Sequence, residues 1–334
     1  MDCGLHSCVL GAGSWGTAFA RYLQGLGGRT VLWVRRPELA QALSSTRQNA
    51  EYLPGVELPS QIVLTSDLGE AVEDAEVVFF AVPSFAMRDT AQRVARFLRQ
   101  GVPVVHLAKG LEKGTGQRMS TVLEDTAPGH DVFALSGPSH AEEVARDMPT
   151  AVVLGGKASS VAVRLQRYLM SKTLRVYRSA DLLGVEYCGV VKNVIAVGTG
   201  ISDGLGYGDN TRAALITRGL AEMSRFGSAV GACPETFYGL AGLGDMVVTS
   251  TSVHSRNRRV GFEVGQGRKL DEVLAGMRMV AEGVFSVSLL RDQASDLKVE
   301  MPITEAVHSV LFCGKKAGDQ MTELMLRPPK REGD

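Results

Sequence analysis

The stretch Val9-Leu10-Gly11-Ala12-Gly13-Ser14-Trp15-Gly16 sets three glycines at Gly-x-Gly-x-x-Gly spacing between a short apolar run and the start of a helical pattern. Each glycine has its own task in a dinucleotide site. Gly11 permits a tight turn, Gly13 lets backbone approach a pyrophosphate, and Gly16 lets the new helix pack closely on the strand. That helix's free N–H groups face the anion. Trp15, Phe19, Tyr22 and Leu23 recur at helical spacing over residues 14–25, Gly27-Gly28 ends the segment, and residues 30–34 read as a second strand. This is one β-α-β unit, and a nicotinamide or flavin dinucleotide is the expected ligand. Where an acid for the ribose hydroxyl would mark NAD, the chain carries Arg35-Arg36-Pro37. Two guanidiniums suit a 2′-phosphate, so NADPH is expected over NADH, and the missing acid speaks against FAD.

The bulk composition agrees with an enzyme rather than a charged binder. Lys plus Arg and Asp plus Glu both number 36 in 334 residues, which is enough chain for about two domains. With zero net charge and no basic stretch interleaved with aromatics, a nucleic acid is not an expected partner. Cys3, Cys8, Cys188, Cys233 and Cys313 are odd in number and scattered, with no Cys-x-x-Cys pair, and read as reduced thiols. No basic segment followed by a long apolar core opens the chain. Runs such as residues 77–83 are too short to span a bilayer, so no membrane span is expected and a cytoplasmic location is.

Through residue 180 short β-rich runs alternate with helical patterns, as a doubly wound, mostly parallel sheet requires. Expected strands are residues 76–82, 103–108, 131–135, 151–154 and 174–177. Their carboxyl ends matter most, because ligands of open α/β sheets bind there. The first of these five runs into Pro83-Ser84 and the second delivers Lys109-Gly110. The third ends in Ser136-Gly137-Pro138-Ser139, where Ser139 and Glu142 fit a Ser-x-x-Glu capping box and backbone N–H groups at Gly137 and residues 139–141 suit an anion.

After Ser179 helical patterns take over, which divides the chain into a dinucleotide-binding domain (1–180) and an all-α substrate domain (181–334). Within the first long helical pattern of that second part, Lys192 and Asn193 are embedded in aliphatic and small residues. A lysine removed from water has its charged form disfavoured, which fits it for proton transfer near neutrality. A purely structural alternative pairs it with a carboxylate such as Glu186. Downstream, residues 239–245 form a glycine-dense turn presenting Asp245, and Thr249-Ser250-Thr251-Ser252 leads to Ser255-Arg256-Asn257. Arg256 at a helix start suits a phosphate, since guanidinium forks match phosphate oxygens; Arg258 and Arg259 read as surface residues. No His/Asp/Glu cluster has metal-ligand spacing.

Taken in order, Gly11-x-Gly13-Ser14-Trp15-Gly16-Thr17-Ala18, Lys109-Gly110, Ser136 to Ser139, residues 191–196, Gly242-Leu243-Gly244-Asp245 and Ser255-Arg256-Asn257 resemble the NAD(P)-dependent glycerol-3-phosphate dehydrogenases, most closely the bacterial biosynthetic type. The resemblance covers nearly the whole chain and extends to residues 211–219, Glu282-Gly283, residues 301–304 and residues 312–315. It implies that Ser14, Trp15, Arg35, Arg36, Lys109, Ala141, Arg256, Val280 and Glu282 contact NADPH. It further implies that Lys109, Gly137, Ser139, Lys192, Asp245, Ser255, Arg256 and Asn257 hold dihydroxyacetone phosphate or sn-glycerol 3-phosphate, with Lys192 the proton acceptor in oxidation and Asp245 orienting either that lysine or the substrate hydroxyls. Glycerol 3-phosphate supply for phospholipid synthesis and a homodimer follow from the same resemblance. Two positions depart from the family pattern: Arg36 stands where a histidine or asparagine is usual, and His140 replaces a phenylalanine, a change expected to affect packing alone.

Alternative readings are a hydroxyacid dehydrogenase acting on a carboxylate, a flavin oxidase and a non-catalytic NADP sensor. The Gly-Leu-Gly-Asp and Ser-Arg-Asn segments weigh against the first, Arg35-Arg36 against the second. A sensor has no need of Lys192 or Asp245.

Overall fold

A computed structural model describes residues 4–277, 279–329 and 331–332, so Cys3 lies outside the described residues. Eight strands form one sheet: β1 (Ser7–Leu10), β2 (Thr30–Trp33), β3 (Val63–Thr65), β4 (Val77–Phe80), β5 (Val104–His106), β6 (Val132–Ser136), β7 (Thr150–Gly156) and β8 (Leu174–Ser179). Their order is β3-β2-β1-β4-β5-β6-β7-β8. β1 pairs in parallel with both β2 and β4, Ser7 facing Thr30 on one side and Val77 on the other. The strand order reverses there, which opens the ligand crevice at the carboxyl ends of β1 and β4. β7 runs antiparallel to β6 and parallel to β8, so the sheet is mostly parallel, as expected. β3 was not among the expected strands. It is a three-residue edge strand, too short for a periodic signal to stand out.

β1, β2, β4, β5 and β6 are buried along their whole length, because helices cover both faces of the sheet. Gly11 at the end of β1 has φ +116°, a region that favours glycine. A Cβ on Gly16 would overlap the Gly11 carbonyl oxygen, so the Ser14–Gln24 helix approaches the turn only because Gly16 has no side chain.

Among the described residues no strand follows Ser179. The central helix of this second half, Leu182–Gly204, corrects one expectation: it is long and apolar enough to cross a membrane. However, 89% of its most apolar 18-residue window is buried inside the protein, which makes it a core helix. Val191, Val194, Ile195 and Val197 anchor a core that also takes in Ala134 of β6 and Val153 of β7. The Arg256–Gly265 helix crosses this one on glycines: a Cβ on Gly200 would overlap the Arg258 carbonyl oxygen, and a Cβ on Gly261 that of Val197.

The helical half is further fastened to the sheet by Glu186. Its carboxylate accepts hydrogen bonds from Arg118 Nη1 (2.5 Å), the Ser120 amide (2.8 Å) and Ser120 Oγ (2.6 Å), and lies 3.1 Å from His106 Nε2. Burial acts to raise its pKa, but the contacts with His106, Arg118 and Ser120 outweigh it and hold the carboxyl down at about 2.

Candidate active site

At the carboxyl edge of the sheet, Lys109 after β5 meets Asn193 of the Leu182–Gly204 helix as well as Asp245 and the Gly137 turn after β6, while Ser84 after β4 meets Glu282. On the sheet side, the Ser14–Gln24 helix begins at Gly13 with no side-chain cap and no acid in its first turn. No atom lies within 4 Å of where a Cβ on Gly13 would stand. Uncapped N–H donors beside an open glycine fit a pyrophosphate. Ser14 Oγ donates to the Tyr52 carbonyl (2.6 Å), and the Trp15 indole N–H donates to the Ser139 carbonyl (2.7 Å), tying the first turn to the loop after β6. Ala141 is buried beside Ala18 and Leu53.

Arg35 and Arg36 follow β2 and are both exposed. Arg36 pairs with Glu51 and stacks its guanidinium 5.9 Å from the centre of the Tyr52 ring. Among the described residues Arg35 makes no hydrogen bond or salt bridge, so its exposed guanidinium is unpaired. Glu282 opens the Glu282–Asp296 helix just after Val280, and its carboxylate accepts from the Ser84 amide (2.9 Å) and Ser84 Oγ (2.5 Å). The acid expected at the cofactor thus clasps the turn that follows β4.

The reactive centre is built on Asp245. The chain reaches it through a wide helical turn in which the Gly244 amide donates to the Gly239 carbonyl, five residues back. Such turns recur at functional sites. Lys109 Nζ donates to Asp245 Oδ2 (2.6 Å) and to the Gly137 carbonyl (2.9 Å). Lys192 Nζ lies 3.2 Å from Asp245 Oδ1 and donates to Thr249 Oγ1 (2.8 Å). Lysine 192 therefore pairs with Asp245 and not with Glu186, whose carboxylate is spent on Arg118 and Ser120. Burial lowers the Lys192 pKa to about 8, Lys109 and Arg256 push the same way, and Asp245 opposes. Burial likewise acts to raise Asp245, but the two lysines prevail and keep it ionised below its ordinary range.

Asn193, on the turn beside Lys192, donates to the Lys109 carbonyl (2.8 Å) and accepts from Asn257 Nδ2 (2.7 Å), while Asn257 Oδ1 accepts the Gly283 amide (3.0 Å). This amide chain sets both lysines and the Arg256–Gly265 helix in one frame. Ser255 caps that helix by accepting the Arg258 amide (3.2 Å). Arg256 is exposed and makes no hydrogen bond or salt bridge among the described residues. The protein packed around it still disfavours its charge and lowers its pKa, with Glu282 and Glu142 acting the other way. Arg258, expected at the surface, instead reaches Asp203 at 2.7 Å, a carboxylate shared with Arg212.

The capping box expected at Ser139 and Glu142 does not form. The Ala141–Val144 helix starts one residue later, at His140 and without a side-chain cap, because Ser139 Oγ donates to the Gly137 carbonyl (3.0 Å). Sequence reasoning gives Thr249, Asn193 and Ser84 no role in the site; for Asn193 alone a local signal exists, a polar side chain next to Lys192 in an aliphatic run.

A dinucleotide-binding sheet whose crevice is closed by a helical half carrying a buried lysine–carboxylate pair defines a Rossmann-type dehydrogenase. Residues 6–162 match the family model described as NAD-dependent glycerol-3-phosphate dehydrogenase N-terminus, and residues 181–322 the one described as its C-terminus. The chain is 50% identical over 331 residues to a glycerol-3-phosphate dehydrogenase [NAD(P)+] of Chlorobium limicola, covering 98% of this chain and 99% of that one. It is also 50% identical to that of Moorella thermoacetica, with 97% and 96% covered. The crystal structure of glycerol-3-phosphate dehydrogenase from Coxiella burnetii superposes with TM-score 0.93 at 37% identity, over 97% of this chain and 99% of that one. This chain belongs to the NAD-dependent glycerol-3-phosphate dehydrogenase family. A ketopantoate reductase from Ralstonia eutropha, 16% identical with TM-score 0.63, shares the fold alone.

Proposed function

We propose that this chain reduces dihydroxyacetone phosphate to sn-glycerol 3-phosphate with NADPH preferred over NADH, and catalyses the reverse oxidation, supplying glycerol 3-phosphate for glycerophospholipid synthesis. The observation that carries this reading is the buried Lys192 amine, near pKa 8, held beside Asp245 and Lys109 in the crevice of a dinucleotide fold. When bound, the dinucleotide supplies the hydride. Lys192 donates a proton to the oxygen on which charge grows during reduction, and takes it back during oxidation. Asp245 balances one of the two lysine charges and orients the Lys192 amine together with Thr249.

Lys109, Gly137 and Ser139 hold the substrate from the sheet side. Ser255, Arg256 and the second N–H of Asn257 grip its phosphate, a remote contact that fixes the reacting carbon. Gly11, Gly13, Ser14, Trp15 and Gly16 with Arg35, Arg36, Ala141, Val280 and Glu282 line the cofactor side. We place the boundary between the two domains near residue 180. A homodimer and a cytoplasmic location follow from the family resemblance.

The test is NADPH oxidation with dihydroxyacetone phosphate, set beside glyceraldehyde 3-phosphate and a 2-keto acid. Turnover confined to dihydroxyacetone phosphate is expected; preference for the 2-keto acid overturns the reading.

A further inference from the structure

His140 stands where the loop after β6 turns into the Ala141–Val144 helix, at the crevice wall that also carries Gly137 and Ser139. Its ring lies 5.9 Å, centre to centre, from that of His254, which belongs to the turn leading into Ser255 and Arg256 on the opposite wall. Its Nε2 is shielded from solvent and has no hydrogen-bond partner among the described residues. A buried ring nitrogen left unpaired costs stability until a ligand supplies its partner. Rotation of an imidazole about its last side-chain bond is soft, so a small turn re-aims this nitrogen without moving backbone.

We propose that His140 is a further substrate-contacting residue, its Nε2 hydrogen-bonding a phosphate oxygen of the phosphorylated ligand held between the Gly137 turn and Ser255. This rests on the function proposed above. The charged and titratable groups around the ring are Lys192, Lys109 and Asp245, Glu142 on its own short helix, and His254 opposite. Burial holds the imidazole below its ordinary pKa; Lys192 and Lys109 act in the same direction, while Glu142 and Asp245 oppose. The free protein thus disfavours the protonated ring, and a phosphate dianion beside it favours that form.

The experiment compares wild type with His140→Phe, which keeps a ring and removes both nitrogens, and with His140→Gln, whose amide can stand in for Nε2. His140→Phe is expected to raise the KM for dihydroxyacetone phosphate at least about fivefold, the scale of one charge-assisted hydrogen bond, with the KM for NADPH unchanged. His140→Gln recovers most of the loss. An unaltered triose phosphate KM in His140→Phe overturns the proposal, as does a parallel rise in both KM values or a failure of His140→Gln to recover. NMR titration of the His140 ring in wild type gives an independent arm: glycerol 3-phosphate raises its pKa and NADPH alone does not. A shift produced by NADPH alone, or by neither ligand, also overturns it. If wild type fails to turn over dihydroxyacetone phosphate, the proposed function falls, while the same NMR titration with inorganic phosphate still decides for or against the ring contact.

Discussion

Lys109 and Lys192 reach opposite oxygens of one carboxylate, that of Asp245, at 2.6 and 3.2 Å, one lysine from the sheet and the other from the central helix. Two cations against one buried anion leave an excess positive charge around the buried Lys192 and Asp245 side chains. That excess and the burial together bring Lys192 down to about 8, while Asp245 keeps it from falling further.

A pH profile follows with a definite sign. Reduction needs Lys192 as ammonium, so its kcat declines as pH rises through about 8; oxidation needs the free amine and declines as pH falls through the same value. Asp245→Asn removes the only anion in contact with Lys192 among the described residues. The reduction limb should then move to lower pH, read from initial rates between pH 6 and about 10. A limb that stays in place in Asp245→Asn rules out this electrostatic coupling.

Lys192→Ala should retain NADPH binding, because the glycine turn and Arg35 lie on other elements, yet lose kcat by roughly 10²–10⁴-fold, the usual worth of a positioned acid–base group. Fluorescence titration with NADPH alongside steady-state rates separates the two. Normal turnover in this variant eliminates the acid–base assignment.

The glycine spacing of residues 11–16 and the strands around it were legible because both are local: a turn and its flanking periodicities lie within one window of sequence. The aliphatic setting of Lys192 was legible for the same reason. Its partner stayed open between Glu186 and Asp245, the latter able to serve the lysine or the substrate hydroxyls. Glu186 lies on the same helix, whereas Asp245 arrives from 53 residues downstream by a wide helical turn, and no local pattern encodes that approach. The helix crossing on Gly200 and Gly261 has the same character, since a glycine's purpose there is visible only against the backbone it meets. Ser139 misled because a capping motif names a side chain's options, and the fold used its hydroxyl for the Gly137 carbonyl.

Cofactor choice should depend more on Arg35 than on Arg36, because Arg36 is already paired with Glu51 and Arg35 makes no hydrogen bond or salt bridge among the described residues. Arg35→Gln is expected to narrow the ratio of kcat/KM for NADPH over NADH by about tenfold, with a smaller change for Arg36→Gln. An unchanged ratio in the double variant means that neither arginine reads the 2′-phosphate.

Glu222 offers a stability test away from the crevice. Its buried carboxylate accepts the Ile303 and Thr304 amides (2.5 and 3.2 Å) at the start of the Pro302–Phe312 helix. Burial pushes its pKa from 4.5 up to about 7, against those hydrogen bonds. Between these values the folded protein holds a proton that the unfolded chain has released, so this contribution to stability is complete below about 4.5 and lost as pH rises to about 7. Glu222→Gln cannot titrate. Urea unfolding should show wild type losing on the order of 2 kcal/mol more than the variant between pH 5 and 8. Parallel pH dependences contradict this account.

The glycine crossing makes a prediction that links packing to turnover. Gly200 and Gly204 on the central helix face backbone of the Arg256–Gly265 helix, and Gly261 and Gly265 face backbone of the central helix in return. The same two helices carry Asn193 and Asn257, whose 2.7 Å hydrogen bond ties the Arg256 turn to both lysines. A methyl at Gly261 meets the Val197 carbonyl oxygen, which is backbone and cannot swing aside, so the helices must separate. Gly261→Ala should therefore destabilise by about 1–3 kcal/mol and, by shifting Asn257 and Arg256 on the order of 1 Å, cut kcat/KM by about 10²-fold. Gly318→Ala is the matched control, since no atom lies within 4 Å of the Cβ position there and its backbone is already helical. It should leave activity untouched and stability equal or slightly raised. If Gly261→Ala behaves like Gly318→Ala in both assays, the close approach of these helices is not what holds the Asn193–Asn257 frame in place.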